Sequence, residues 1–437
     1  MSSTAAPSAV HPYVAALLSG LAAEPGAPDW LAGRRSAALE RANALTVPTT
    51  RDEEWRFTDL TPLTRLPVQP ATQASSVDAA LLAAHALPEA ALGLTFIDGI
   101  LKPGQAIAAL PAGVTVLPLA EALRTRPALA EPYLTRLAAT ENDLFAALNT
   151  AFLQQGVLIH LARDTVLDGP VHLLHVAAQA GVAAHPRCLI VAEAGAQVCV
   201  IEDYVAAGDA AYLTNAVTEV AVAANAVVRH IKVQRESVKA FHIATCAVRL
   251  DRDARFSSHT VTLGARLSRQ NLSVEQTGEG VDVAIDGLAL IGGRQLADTH
   301  TLIDHRKAHG RCAQTHKTIV GGGAHAVFNG KVFVREGAQL TDSSQQSRNL
   351  LLSDKARVDT KPQLEIFADD VKCAHGATVG QLDPEHLFYL KSRGLTEAAA
   401  RNMLTYAFGA EIIDRIPVPT LVRHLEAAVM AFTEGGA

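Results

Sequence analysis

The chain has 437 residues, too many for one compact core of ordinary size, so several domains or an elongated repeat architecture are expected. A net charge of −6 argues against a broad basic surface for nucleic acid. Five scattered cysteines without a CxxC pair indicate free thiols in a reducing compartment. With neither a basic leader nor a run of about eighteen apolar residues, we expect a cytoplasmic protein that does not enter the membrane.

Residues 1–155 predict a helical and mixed N-terminal domain. Apolar residues recur at helical spacing over 10–45, whereas Leu94 to Ile97 is typical of a short strand. Within 51–60 (RDEEWRFTDL), Trp55 stands among charged residues. Two interpretations of this tryptophan stay open: an anchor against another element, or part of a small apolar cluster under a loop.

Residues 156–382 predict a solenoid of β-strands. From about Val157, short β-rich runs follow turns, and a small residue recurs after the turn at a nearly constant spacing: Ala196, Ala226, Ala254 and Val281. The same pattern of a turn followed by a small residue recurs at closer spacing at Ala338 and Ala356. Such units are typical of stacked coils, so we predict a parallel β-helix. A large β-sandwich or propeller is the alternative, but it would need stricter hairpin turns and more aromatic residues.

Residues 383–437 predict a helical domain. Asp383 suits the N-cap, Pro384 the first helical position and Gly394 the end of the helix. Two more helices are predicted from about Thr396 and Thr420. The domain either caps the last coil or exposes an apolar groove for a partner, and both interpretations stay open. The apolar residues concerned are Leu387, Phe388, Leu390, Met403, Leu404 and Phe408.

Several enzyme and metal signatures fail at single positions. The run 321–331 resembles a phosphate-binding loop, but His325 replaces a required glycine and Val332 a required Ser or Thr. We find no dinucleotide fingerprint, nucleophile elbow or HExxH motif in the sequence. Five histidines follow neither a period of two nor a known ligand spacing, so we predict no metal site from them: His300, His305, His309, His316 and His325.

Cys373 and His375 are the strongest candidate site. In a strand, residues i and i+2 leave the same face, and a thiolate beside an imidazole suits iron or an iron–sulfur cluster. Asp369 and Asp370 lie just upstream as further oxygen donors. Because a cluster ordinarily takes four protein ligands, this half-site would need donors from a second chain. The alternative is a buried cysteine that acts as a small apolar residue beside a surface histidine.

Three segments resemble motifs of a known family. Residues 347–395, which include VKCAHGATVG, together with 326–334 (AVFNGKVFV) and 51–60, are similar to characteristic segments of the SufB/SufD family. The form VKCAHGATVG, the modest length and the helical N-terminus look like the SufD branch of that family. The resemblance implies a right-handed parallel β-helix between N- and C-terminal helical domains.

The resemblance also implies a non-catalytic scaffold subunit of a cytoplasmic, ATPase-driven complex that assembles iron–sulfur clusters. It implies pairing with SufB through the β-helices and binding of the SufC ATPase through the C-terminal apolar residues named above, and it leaves a homodimer of the isolated chain open. Cys373 and His375 match positions at the SufB interface where iron or a nascent cluster is held transiently, with no cofactor bound tightly to the isolated chain.

Two alternatives stay open beside this interpretation. One is a purely architectural subunit of the same complex, in which Cys373 and His375 only stabilise the pair of chains. The other is a β-helix enzyme that processes carbohydrate. That enzyme would need exposed aromatic platforms and an extracellular leader, and the sequence offers neither.

Overall fold

The structure, a computed structural model, describes residues 10–21, 28–105 and 110–434. Its helices are α1 (Pro12–Leu18), α2 (Asp29–Ala44), α3 (Thr61–Thr64), α4 (Ala79–Ala84), α5 (Leu119–Thr125), α6 (Pro127–Ala130), α7 (Leu144–Ala151), α8 (Pro384–Ser392), α9 (Glu397–Ile413) and α10 (Pro419–Glu434), with a 3-10 turn at Glu53–Trp55. No helix in these ranges is long and apolar enough to cross a membrane.

The strands alternate with short turns along most of the chain. They are β1 (Gln69–Pro70), β2 (Leu92–Ile97), β3 (Ile100–Leu101), β4 (Val114–Pro118), β5 (Gly156–Leu161), β6 (Val171–Ala177), β7 (Val182–Ala184), β8 (Arg187–Ala192), β9 (Gln197–Ala206), β10 (Leu213–Val222), β11 (Val227–Arg235), β12 (Phe241–Leu250), β13 (Arg255–Thr262), β14 (Leu267–Gln276), β15 (Asp282–Ile291), β16 (Leu296–His305), β17 (Arg311–Val320), β18 (His325–Val334), β19 (Asp342–Leu351), β20 (Arg357–Ile366) and β21 (Lys372–Gln381).

Two long parallel sheets form the body of the molecule. Sheet A stacks the even-numbered strands β8 to β20 on β5, and sheet B stacks the odd-numbered strands β9 to β21 on β6 and β2. Each coil therefore gives one strand to each sheet. The sheet B strands from Gln197 to Lys372 pair in register without a break, so the chain advances by a nearly constant length in each coil. This confirms the predicted parallel β-helix with helices at both termini, and the sandwich and propeller alternatives are wrong.

The repeated small residues line the interior of the coils. Each is at most 1% exposed and immediately precedes a sheet B strand: Ala196, Ala226, Ala254 and Val281. They belong to the apolar cluster that fills the interior of the coils. Ala338 lies in the turn before β19 of sheet B, whereas Ala356 precedes β20 of sheet A. The closer spacing of that pair therefore measures part of one coil, from one turn to the next, rather than a full repeat.

The two ends of the solenoid differ. At the beginning, β3 pairs antiparallel with β2 and β4 pairs antiparallel with β5, so each sheet ends in a short antiparallel strand. At the far end, β20 pairs only with β18 and β21 only with β19 among the described residues. The helix α9 packs against β15 and β17, on the side of sheet B. The C-terminal domain therefore covers a face of the solenoid and not the last coil, which the capping interpretation expected it to cover.

The segment 51–60 is fixed to the outer face of sheet A. The Arg269 guanidinium lies 3.8 Å from the centre of the Trp55 ring, and Arg269 Nη1 donates a hydrogen bond of 2.8 Å to the carbonyl of Glu54. Thr58 Oγ1 donates to the carboxylate of Asp298 at 2.6 Å. Trp55 therefore serves as an anchor against another element, the first of the two interpretations.

A buried ion pair joins the N-terminal domain to the first coils. Arg187 Nη2 lies 2.6 Å from Glu219 Oε2, and both side chains are fully buried. Glu219 also accepts backbone hydrogen bonds of 2.8 Å from Thr135 and from Leu137. Arg187 Nη1 donates to Asn149 Oδ1 at 3.0 Å. Because both charges are paired and hydrogen-bonded, the pair is tolerated in the interior, where a single unpaired charge would be costly.

Candidate metal-binding site at the open end of the solenoid

Cys373 and His375 lie on β21, the last strand of sheet B. Their neighbours on β19 are Ser343 beside Cys373 and Gln345 beside His375. Cys373 is half-buried and packs against the interior apolar cluster, so it points inward, whereas His375 is exposed. Since alternate residues of a strand share a face, the imidazole leaves β21 on the same side as the thiol. The structure thus brings both predicted donors to the end of the solenoid interior.

A thiol and an imidazole are donor types that iron and iron–sulfur clusters take in proteins. Burial raises the pKa of the Cys373 thiol, so the isolated chain holds a protonated thiol at neutral pH. A nearby metal ion or positive charge is needed to convert it into a thiolate ligand. Among the described residues, no group of three or more His, Cys, Asp or Glu side chains could hold a metal ion. Asp369 and Asp370, predicted as further donors, are exposed and join no such group.

The edge that carries this pair is suited to contact with another chain. The strands β20 and β21 are each ten residues long, and their outer edges bear no strand among the described residues. Three large apolar side chains are exposed there: Ile366 at 41%, Phe367 at 59% and Val379 at 49%. An exposed edge of this length offers a row of unpaired backbone groups to an incoming strand.

The predicted apolar residues of the C-terminal helices fall into two groups. Phe388 is 74% exposed and Met403 is 50% exposed. Tyr389, which was not predicted from the sequence, is 55% exposed. We call these three residues the helical patch. Leu387, Leu390 and Leu404 are half-buried. The consecutive Phe388 and Tyr389 alone could not have revealed the helical patch, since successive helical residues can both be buried, as Ile412 and Ile413 are.

Phe408 lies on the opposite side of α9 and anchors that helix to the solenoid. Lys317 Nζ lies 4.6 Å from the centre of the Phe408 ring and donates to the Phe408 carbonyl at 2.9 Å. The same ammonium pairs with Glu411, and Arg415 Nη1 lies 2.5 Å from Asp286 Oδ1. Of the six predicted contact residues, Phe408 is therefore placed at an internal interface of the chain.

The five histidines considered as a metal site are separated by the fold. His300 lies between Asp298 Oδ1 at 2.9 Å and Glu54 Oε2 at 3.2 Å, on the outer face of sheet A. His325 pairs with Asp359 at 2.7 Å. His305 and His316 are buried, and His309 occupies a turn with a φ of 62°. Their contacts therefore account for them as separate structural residues.

These features define a class of protein: a parallel β-solenoid with helical flanks and one open end that carries a thiol and an imidazole. The chain belongs to the SufBD family of the SUF system for iron–sulfur cluster assembly, since the SufBD core domain matches residues 175–408 and the SufBD N-terminal region matches residues 22–173. This family membership replaces the alternative of a carbohydrate-processing enzyme.

Curated relatives match almost the whole chain. It is 39% identical to an iron–sulfur cluster assembly SufBD family protein of Synechocystis, over 92% of this chain and 91% of that protein. It is 35% identical to the iron–sulfur cluster assembly protein SufD of Escherichia coli, over 90% of each. It is 29% identical to the chloroplastic protein ABCI7 of Arabidopsis thaliana, over 92% of this chain and 86% of that protein.

Proposed function

We propose that the chain is a SufD-type scaffold subunit of a cytoplasmic complex that assembles iron–sulfur clusters, and that it catalyses no reaction alone. The observation that supports this most is the position of Cys373 and His375 on an edge strand without a neighbour among the described residues. A second chain at this edge would bring its own donors beside them, as a cluster with four protein ligands requires. Iron or a nascent cluster is then transient cargo, and the isolated chain keeps no tightly bound cofactor.

The partner at the open end is, in this proposal, SufB. Strand addition to β20 and β21 would satisfy their free backbone groups and cover Ile366, Phe367 and Val379. A second copy of this chain could use the same edge when SufB is absent, and SufB would then displace it. Either pairing places Cys373 and His375 inside an interface rather than on a free surface.

The SufC ATPase, in this proposal, binds the helical patch. The helix α9 that carries Met403 is tied to β17 and β19 because Glu411 pairs with Lys317 and Arg348, and the turn after it is tied to β15 because Arg415 pairs with Asp286. Movement of the helices by SufC would therefore be transmitted to sheet B. The strand β19 lies directly beside β21, so the motion reaches the strand that carries the half-site.

The test is co-expression of the chain with SufB and SufC and anaerobic purification, followed by measurement of iron content and visible absorption. We expect His375→Ala to assemble normally but to lose most of its iron and its cluster absorption. The matched control is Lys372→Ala, an exposed residue of the same strand whose side chain leaves the opposite face. If His375→Ala loads iron like the wild type, the chain is an architectural subunit and the half-site is wrong.

A further inference from the structure

The interior of the last coils contains a column of amides that leads to His375. Gln314 on β17, Gln345 on β19 and His375 on β21 are register neighbours in sheet B. Both glutamines are 1% exposed. The next residue of the column on β15 is Ile285, so the amides begin only at the third strand from the open end. Neighbouring strands are about 4.8 Å apart, which places each side chain within reach of the next.

The amide of Gln345 is buried without a hydrogen bond. Among the described residues, neither its Oε1 nor its Nε2 has a partner, and Nε2 of Gln314 also has none. Gln314 has one partner on the facing sheet, since Thr301 Oγ1 of β16 donates to its Oε1 at 2.9 Å. Buried polar groups are almost always paired in proteins, and an unpaired one costs stability. An apolar side chain of the same length would avoid this cost, so stability does not explain the glutamine.

Space for the Gln345 side chain is made by a glycine on the facing sheet. A Cβ atom on Gly330 of β18 would lie 2.3 Å from Gln345 Nε2 and 2.7 Å from the Phe328 ring. Gly330 lies in a strand and not in a turn, so its absence of a side chain serves this close approach. From β19, one strand before the strand that carries His375 in sheet B, the amide therefore extends across the interior towards β18.

We infer that Gln345 is a positioning residue for His375; this inference rests on the proposed function of the half-site. Its Oε1 would accept a hydrogen bond from one ring N–H of His375 and leave the other ring nitrogen free to bind metal. A histidine ligand in proteins nearly always donates its second N–H in this way, and removal of the acceptor commonly weakens metal binding about 10- to 100-fold. On the other side of Gln345 lies Gln314, whose Oε1 already accepts from Thr301 and whose Nε2 has no partner among the described residues.

The test is an anaerobic Co²⁺ titration of the assembled complex, followed by the visible absorption of the bound ion, with thermal unfolding of the same samples. Gln345→Met keeps the length of the side chain but removes the acceptor. We expect Co²⁺ to bind about 10- to 100-fold more weakly, without a lower melting temperature, because an unpaired amide is lost. The control is Gln346→Met, the exposed neighbour on the same strand, which should bind as the wild type does.

Gly330→Ala is a second variant, which pushes the amide aside without changing it and should weaken Co²⁺ binding in the same way. If His375→Ala loses Co²⁺ while Gln345→Met and Gly330→Ala keep it, the half-site stands and the inference about Gln345 is overturned. If the wild type and His375→Ala bind Co²⁺ equally, the half-site and the inference both fall. A lower melting temperature for Gln345→Met would show that the amide is structural, which also overturns the inference.

Discussion

The first and last coils of the solenoid have the same backbone but different interiors. In the first coils, Glu202 is buried with three partners, since it lies 2.8 Å from His230 and accepts from Thr218 at 2.6 Å and from Tyr204 at 2.5 Å. In the last coils, the buried amide of Gln345 has no partner within the described ranges. The carboxylate that supports the fold is fully paired, whereas the amide near the open end keeps unused hydrogen-bonding capacity.

The first and last coils also differ in how far they are covered from solvent. The N-terminal helices cover the first coils and contribute to their apolar clusters, while most of β21 is exposed. Stability is therefore concentrated where the solenoid is covered, and the candidate chemistry lies where it is open. Substitutions in the two regions should differ accordingly in their effects on unfolding.

The largest effect is expected for the ion pair under the N-terminal domain. Arg187→Met leaves the buried Glu219 without its cation, so we expect a loss of about 3–5 kcal/mol in the free energy of unfolding. Urea denaturation of the isolated chain measures it. The control is Arg252→Met, because Arg252 forms an exposed pair with Asp253 and its loss should change stability by less than about 1 kcal/mol. Similar values for the two variants would contradict a larger contribution of the buried pair to stability.

A smaller effect per residue and per pH unit is expected from the buried histidines. Burial lowers the pKa of His175 to about 4, and those of His185 and His316 to about 3. The unfolded chain takes up protons at these sites below about pH 6.5, whereas the folded chain does not. Stability should therefore fall as the pH falls from about 6.5 towards 4, by up to about 1.4 kcal/mol per pH unit for each histidine.

Thermal unfolding between about pH 7.5 and 5 would measure this dependence. His316→Phe removes one titrating group and keeps a ring against Phe328, whose centre lies 4.4 Å from that of His316. The number of protons taken up on unfolding, which sets the slope of the unfolding free energy against pH, should then decrease by about one. An unchanged slope would show that His316 is protonated in the folded chain.

The smallest effect on folding is expected at the helical patch. Phe388→Ser changes a side chain that is 74% exposed, so the free energy of unfolding should change by less than about 0.5 kcal/mol. Binding to SufC, measured by calorimetry, should nevertheless weaken. Phe408→Ser is the contrasting variant, and it should destabilise the chain because Phe408 packs against Lys317. A clear loss of stability in Phe388→Ser would place that residue in the packing of the chain.

The repeat could be predicted from the sequence because small residues such as Ala226 and Ala254 precede their strands at the spacing of one coil. The candidate donors could also be predicted from their spacing, since Cys373 and His375 are two residues apart, as side chains on one face of a strand are. Gln345 was missed because a single glutamine carries no signal. Once the length of a coil is known, Gln314, Gln345 and His375 stand out as one polar column, each a single coil after the one before.

The side of the solenoid that the C-terminal helices cover could not be predicted from local patterns. Phe388 and Phe408 both lie in amphipathic helices, and their sequences do not distinguish a partner surface from an internal one. The internal surface is set by Lys317 and Asp286, which come far earlier in the chain. They pair with the C-terminal domain only when the chain is folded. Such long-range pairing is invisible to periodicity.

The short antiparallel strands β3 and β4 limit how many chains can join. A parallel solenoid with free edges at both ends would add subunits in a row and grow into a filament. Among the described residues, one end finishes in strands of two and five residues, which offer a shorter edge than the ten-residue strands β20 and β21 at the other end. In the proposed pairing at β20 and β21, a chain with one free edge would join one partner and then stop, and the core would contain two chains.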